Sequence, residues 1–200
     1  MVDSVVARTL ARLIVILGIA SAGIVSGETY EPAGDEDTAR VEAFHELLIV
    51  VMQTPVRTER ENLLADAIPS VFDIERISAI SLGRTWRELD EEERKRFTNL
   101  LTELIVATYA SRFARFDGQR FKVVEVRTAS GGNVVRTQLQ TTDRNVSLDY
   151  FLRNGRVFNV VADGVSDLSL RRADYNQIIK TEGYEALLLH LEEQTQRLRE

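Results

Sequence analysis

The 200-residue sequence contains no cysteine, only two histidines and only three prolines. Without cysteine the chain can form no disulfide, and it offers neither a thiol nucleophile nor a thiol for lipid acylation. The fold must therefore be held together by its own hydrophobic core. With 44% apolar residues, the composition is sufficient for one domain with a sizeable core.

Positive charge is also scarce. The sequence has 25 Lys and Arg residues against 31 Asp and Glu residues, which gives a formal net charge of -6. No cluster of Lys and Arg forms a stripe that could neutralise the phosphates of a nucleic acid. We therefore expect no nucleic-acid partner.

The N-terminal segment carries an uncharged run over residues 13–25, preceded by arginines and followed by small residues. The run is shorter than the roughly 20 apolar residues that cross a bilayer, and this layout is typical of a signal peptide. We predict a signal peptide over 1–27, cleaved after Gly27 or, alternatively, after Ala22. Residues 28–200 would then form one exported domain. An uncleaved membrane anchor is the other interpretation.

Apolar residues recur at helical spacing before residue 120 and again near the C-terminus. Thr58 with Glu61, and Asp90 with Glu93, each form the pattern of a capping box, which predicts the start of a helix. Pro69 is expected to end the first of these two helices. The helical regions are predicted over about 38–52, 58–69, 72–87, 91–113, 167–180 and 184–199.

Between these regions the spacing changes to the alternation of β-strands. Strands are predicted over 121–128, 134–141, 146–152 and 157–162. The glycine pair after the first strand and the Asn154-Gly155 pair after the third are typical of tight turns. The sequence thus predicts a single α+β domain with a four-stranded antiparallel sheet.

Catalytic and metal-binding patterns are not found. His45 and His190 are the only histidines, each interpreted as lying at the boundary of a helical face. The segment 163–167 lacks the ligand spacing of an EF-hand, and no nucleophile elbow or glycine-rich phosphate loop occurs. We predict no metal site, no cofactor and no enzymatic activity. A site assembled from distant carboxylates is the alternative that motifs alone do not exclude.

Two blocks of sequence resemble the MlaC, or toluene-tolerance, family of periplasmic lipid-binding proteins. The first block, over 72–97, contains FDIERI, LGRTWR and ERKRF; the second, over 148–183, contains LDY, VVADGVS and EG. Its continuation, DLSLRRADY, resembles HpnM, the branch associated with hopanoid biosynthesis. The chain departs from the pattern at Asn154-Gly155, where relatives have Gly-Trp, and at Asn159, where they often have Asp.

The resemblance implies an α+β fold akin to the cystatin and nuclear-transport-factor superfamily, with helices and sheet enclosing an apolar cavity. It also implies a carrier without cofactor that moves phospholipid or hopanoid through the periplasm. Its partners would be an outer-membrane lipoprotein complex and an inner-membrane ABC transporter with a lipid-binding domain. A non-carrier structural protein of the envelope, or an enzyme of related fold acting on a small substrate, are the alternative functions.

Candidate wall residues of the cavity are apolar positions of the helices and strands, each of which would otherwise be ordinary core. They are Trp86, Leu101, Leu104, Ile105 and Tyr109 in the helices, and Val124, Val126, Val135, Leu139, Leu148 and Tyr150 in the strands.

Overall fold

Helices precede and follow one sheet in the computed structural model, which describes residues 35–129 and 131–200. The predicted signal peptide lies outside these residues. The helices are α1 (Asp35–Gln53), α2 (Arg57–Val71), α3 (Ile74–Leu82), α4 (Arg84–Glu88), α5 (Glu91–Arg112), α6 (Asp167–Glu182) and α7 (Tyr184–Arg199). The strands are β1 (Arg120–Ala129), β2 (Gly132–Gln140), β3 (Asn145–Arg153), β4 (Arg156–Ala162) and β5 (Val165–Ser166).

The sheet has five strands in the order β1-β2-β3-β4-β5, all antiparallel, so the prediction of four strands is wrong by one. The additional strand, β5, follows a tight turn at Asp163 and Gly164, whose φ angles are 48° and 82°. Two residues are too few to show the alternation by which a strand is recognised in a sequence. The α+β class and the antiparallel arrangement are confirmed.

One face of the sheet is apolar and the other is charged. On β2, Val135, Thr137 and Leu139 are buried and point to the same side. On the opposite side, Arg136 donates hydrogen bonds to Asp149 at 3.0 Å and to Glu125 at 3.2 Å. This alternation is what a sheet with one buried and one solvated face requires.

The predicted start of α5 is confirmed in detail. The Asp90 carboxylate accepts a hydrogen bond from the Glu93 backbone at 2.9 Å, and the Glu93 carboxylate accepts one from the Asp90 backbone at 2.8 Å. These reciprocal bonds satisfy N–H groups that have no partner inside the helix.

The predicted boundaries of α2 are wrong at both ends. The helix begins at Arg57 with Val56 as its N-cap, so Thr58 lies inside it and caps nothing. Pro69 lies within the last turn, which continues to Val71. The physical reason is tertiary: Phe72, directly after the helix, forms a bridge with Val157 of β4. This attachment holds the last turn in place although proline donates no hydrogen bond there.

A buried cation fixes the other end of α2. Arg60 donates from Nε to the backbone oxygen of Ala110 at 2.8 Å, and from a terminal nitrogen to the backbone oxygens of Thr54 and Pro55 at 3.0 and 2.8 Å. The carbonyl of Ala110 belongs to the last turn of α5, where carbonyls lack helical partners. Arg60 thus joins the start of α2 to the end of α5.

The helical part of the core forms where α5 packs against α2 and α7. Fully buried side chains from all three helices meet there, including Leu64, Leu101 and Leu191. None of the helices described in residues 35–200 is both long enough and apolar enough to cross a membrane.

Candidate functional site

Aromatic rings occupy the space where α1, the junction of α2 and α3, and the C-terminal end of α5 meet. Phe44 of α1 lies 5.4 Å from the ring of Phe72 and 5.5 Å from that of Tyr109, and the last two are 5.8 Å apart. Phe113 stacks on Tyr109 at 5.6 Å and lies 6.4 Å from Phe121 of β1. We call these five residues the ring cluster. It links the helices to the apolar face of the sheet.

His45 is buried beside this cluster, with 4% of its surface exposed. Its ring stacks on Phe121 at 4.1 Å, and its Nε2 forms a hydrogen bond of 3.1 Å with the hydroxyl of Tyr150. The prediction of a boundary position is therefore wrong: Tyr150 supplies the polar partner that lets a histidine enter the core. The burial of His45 depends on a partner 105 residues away in sequence, which local patterns do not reveal.

Burial also sets the charge of this pair. It lowers the pKa of His45 to about 4 and raises the pKa of Tyr150 well above its usual range. Both groups are therefore neutral near pH 7, so the inner face of the sheet carries a hydrogen-bonded but uncharged pair. Such a pair can hold α1 against β3 without introducing charge into the apolar interior.

No candidate metal site is found in the part of the chain that the structure describes. Within it, no three His, Cys, Asp or Glu side chains are grouped so that they could hold a metal ion.

Two clefts open to the surface on either side of α2. The α1–α2 cleft has a volume of about 510 Å³, and its walls are mostly small or apolar side chains: Ala39, Ala43, Leu47, Ala67, Ser70 and Val71. Phe44 also lines it, and Glu36 and Arg40 are its charged residues. Both clefts are of the size that accommodates a small ligand.

The α2–α5 cleft, about 490 Å³ in volume, has more polar and charged residues in its lining, although its accessible surface is the more apolar of the two. Phe72 and Ile74 line it together with Arg156 and with polar and charged side chains of α5. Arg156 donates a hydrogen bond to the backbone oxygen of Pro69 across this cleft. Phe72 in this cleft contacts Phe44 in the other, so their two rings lie between the clefts.

The predicted wall residues fall into three groups, and none of them lines either cleft. The buried group belongs to the core: Leu101, Leu104, Ile105, Val135, Leu139 and Tyr150. The partly buried group is Trp86, Tyr109, Val126 and Leu148. Val124 is half exposed. Contact between any of them and a lipid stays a prediction.

The structure brings several of these residues together at the sheet. Val135 and Tyr150 are direct partners in the β2–β3 register, and Val126 is the partner of Val135 in β1. Tyr109 approaches from α5 through the ring cluster. Trp86 lies apart on α4, where the guanidinium of Arg94 lies 5.4 Å from its ring.

Val124, one of the predicted wall residues, lies at a β-bulge of β1. The register shifts between Val123 and Glu125, which leaves Val124 as the extra residue of β1. An extra residue changes the side to which the following side chains point. Val124 is accordingly 50% exposed and does not belong to the enclosed face.

Sequence reasoning did not single out Phe44, His45, Phe72, Phe113 or Phe121 as site residues. The helical or strand spacing of the four phenylalanines marks them as core candidates, which is the only signal that the sequence offers for them. Their mutual contacts join α1, the junction of α2 and α3, the end of α5 and β1, and such long-range pairs cannot be read from local periodicity.

A solved protein shares this architecture. It is the phospholipid-binding protein from Ralstonia solanacearum in complex with a phospholipid, which superposes with a TM-score of 0.71. The sequences are 21% identical, and the match covers 81% of this chain and 98% of that one. The described residues thus have the α+β fold of a protein whose solved form holds a phospholipid.

The family model of the MlaC protein matches residues 42–193. This chain belongs to the MlaC family, as the two sequence blocks predicted. No functionally curated protein matches the sequence.

Proposed function

We propose that this protein is a periplasmic lipid carrier that moves phospholipid between membranes as the soluble component of an Mla-type transport system. The observation that carries the proposal is the match of the MlaC family model to residues 42–193. The phospholipid held by the Ralstonia protein of the same fold supports it.

The energetics of lipid binding agree with this role. Burying a CH₂ group is worth about 0.8 kcal/mol, so two acyl chains correspond to on the order of 20 kcal/mol that a bilayer already provides. A carrier must come close to this value without greatly exceeding it, or it could not release its cargo. Apolar side chains such as those of the ring cluster and the α1–α2 cleft could provide that surface.

Hopanoid is the second cargo that we consider, because residues 167–175 resemble the hopanoid-associated branch of the family. A rigid polycyclic hopanoid and a flexible two-chain phospholipid need different cavity shapes. The proposed partners are an outer-membrane lipoprotein complex and an inner-membrane ABC transporter with a lipid-binding domain. The predicted signal peptide, 1–27, would direct export and would be removed from the mature protein.

The experiment is to express the full chain in a Gram-negative host, isolate the protein from the periplasm without adding lipid, and analyse an organic extract by mass spectrometry. We expect about one phospholipid per protein and an N-terminus near Glu28. A control extract of another exported protein of similar size, purified identically, defines the background.

If the protein is expressed in a hopanoid-producing host and hopanoid co-purifies with it, hopanoid is the cargo. Protein free of lipid, and unable to extract phospholipid from vesicles, would contradict the carrier function. Recovery of the intact chain only in membranes would contradict the predicted cleavage and favour the anchor.

A further inference from the structure

The α1–α2 cleft combines features that suit an acyl chain. Its walls come from two neighbouring helices, and alanines on both, Ala39, Ala43 and Ala67, keep the helices from filling the space between them. Leu47 and Val71 add apolar surface. Apolar walls of this kind gain free energy by covering a hydrocarbon chain.

Phe44 closes the inner side of this cleft. Its side chain lines the cleft, yet it is almost fully buried because it packs edge-on against Phe72 and Tyr109. Behind Phe44 lies the rest of the ring cluster, which continues to the apolar face of the sheet. One ring therefore separates the cleft from the interior.

The charged side chains of the same cleft are Arg40 and Glu36. Arg40 is exposed and lies one helical turn before Phe44, which places a cation beside the apolar slot. A guanidinium pairs well with a phosphate, whereas Glu36 repels one. The phosphate of a lipid would thus lie on the Arg40 side.

The α2–α5 cleft suits a phospholipid less well because of its charges. The carboxylates of Glu75 and Glu103 line it and would repel a lipid phosphate. Its one cation, Arg156, already donates a hydrogen bond to the backbone oxygen of Pro69.

We infer that the α1–α2 cleft is the entrance through which an acyl chain reaches the interior, with Phe44 as the ring it displaces and Arg40 as the side chain that meets the phosphate. The inference rests on the proposed lipid-carrying function and specifies where that function begins.

The absence of cysteine allows a direct test, because a single introduced cysteine is the only site that a maleimide can label. The variants are Ala43→Cys inside the cleft, Ala65→Cys on the exposed surface of α2 outside it, and Asn99→Cys in the α2–α5 cleft. Each exported protein is delipidated and labelled with a bulky maleimide. Uptake of pyrene-labelled phospholipid from vesicles of phosphatidylethanolamine and phosphatidylglycerol is then followed.

Labelling Ala43→Cys should slow uptake about tenfold, which corresponds to a barrier higher by about 1.4 kcal/mol. Labelling the other two variants should leave the rate unchanged. An unchanged rate for labelled Ala43→Cys, equal slowing of all three, or slowing of Asn99→Cys alone would overturn the inference. Failure of the unlabelled wild type to take up any lipid would instead overturn the proposed function, and the inference with it.

Two further substitutions test the named side chains. Arg40→Gln should weaken retention of phosphatidylglycerol about threefold, the size of an exposed ion pair, while Arg153→Gln on the nearby exposed hairpin should not. Phe44→Leu, which is shorter but still apolar, should speed uptake. Equal retention in the two arginine variants would remove Arg40 from the site, and unchanged uptake in Phe44→Leu would refute the role of the ring.

Discussion

Acid should destabilise this protein through one buried side chain, His45. Its pKa is lowered to about 4 by burial, against 6.5 for a histidine in an unfolded chain. The unfolded state therefore binds a proton between these pH values that the folded state does not. The contribution of neutral His45 to the free energy of unfolding is fully present above pH 6.5 and is lost as the pH falls towards 4. The difference between the two pKa values corresponds to a loss of about 3 kcal/mol.

The immediate surroundings of His45 explain the direction. Phe121 stacks on one face of the ring at 4.1 Å, and the hydroxyl of Tyr150 is bonded to Nε2 at 3.1 Å. A phenol held neutral by burial cannot compensate a positive charge as a carboxylate would. Protonation of the imidazole therefore opposes the attachment of α1 to the sheet.

The assay compares free energies of unfolding in denaturant at pH 7.5 and pH 4.5, measured by circular dichroism. Carboxylates also titrate in this range, so the variant His45→Gln provides the reference and His190→Gln the control for the other histidine. We expect His45→Gln to lose about 2.5 kcal/mol less than the wild type between these two pH values, and His190→Gln to behave as the wild type. The same acid-induced loss in all three proteins would refute this reasoning.

Further predictions concern a cap, a turn and the core. Asp90→Ala should lower the free energy of unfolding by about 1 kcal/mol because the capping box is lost, whereas Thr58→Ala, inside α2, should change it far less. Gly132→Ala should cost more than about 1 kcal/mol, because its Cβ would clash with the backbone oxygen of Leu152. Gly131→Ala, whose φ of 102° is also unfavourable for alanine but whose Cβ meets no atom, should cost less, and equal losses would contradict the clash. Leu104→Trp should cost the delipidated protein about 1 to 3 kcal/mol, since Leu104 is 1% exposed in the core. An unchanged unfolding midpoint with less co-purified lipid would show instead that Leu104 borders a cavity.

Local patterns predicted most of the secondary structure. The alternation of β3 and the Asn154-Gly155 pair predicted the hairpin of β3 and β4, whose turn residues have φ angles of 51° and 72°. The capping box at Asp90 and Glu93 placed the start of α5. In each case residues close in sequence determine the conformation, so the signal is contained within a few positions.

The failures share a cause, which is dependence on contacts distant in sequence. Thr58 and Glu61 have the spacing of a cap, but the start of α2 is fixed by Arg60 and the end of α5. Val124 follows the alternation of a strand until a bulge interrupts it.

Two inferences from the family resemblance stay predictions. One is the likeness to the cystatin and nuclear-transport-factor superfamily, and the other is membership of the hopanoid-associated branch.

The burial of the predicted wall residues and the role of a carrier are compatible if the interior opens at little cost. Phe44 makes edge-on contacts with Phe72 and Tyr109, and each such contact is worth about 0.5 to 1.5 kcal/mol. Breaking both would cost about 1 to 3 kcal/mol. Counted from water, this is a small part of the roughly 20 kcal/mol that burial of two acyl chains provides, in the carrier as in a bilayer. The cost of moving the Phe44 ring is therefore compatible with the proposed entry of an acyl chain.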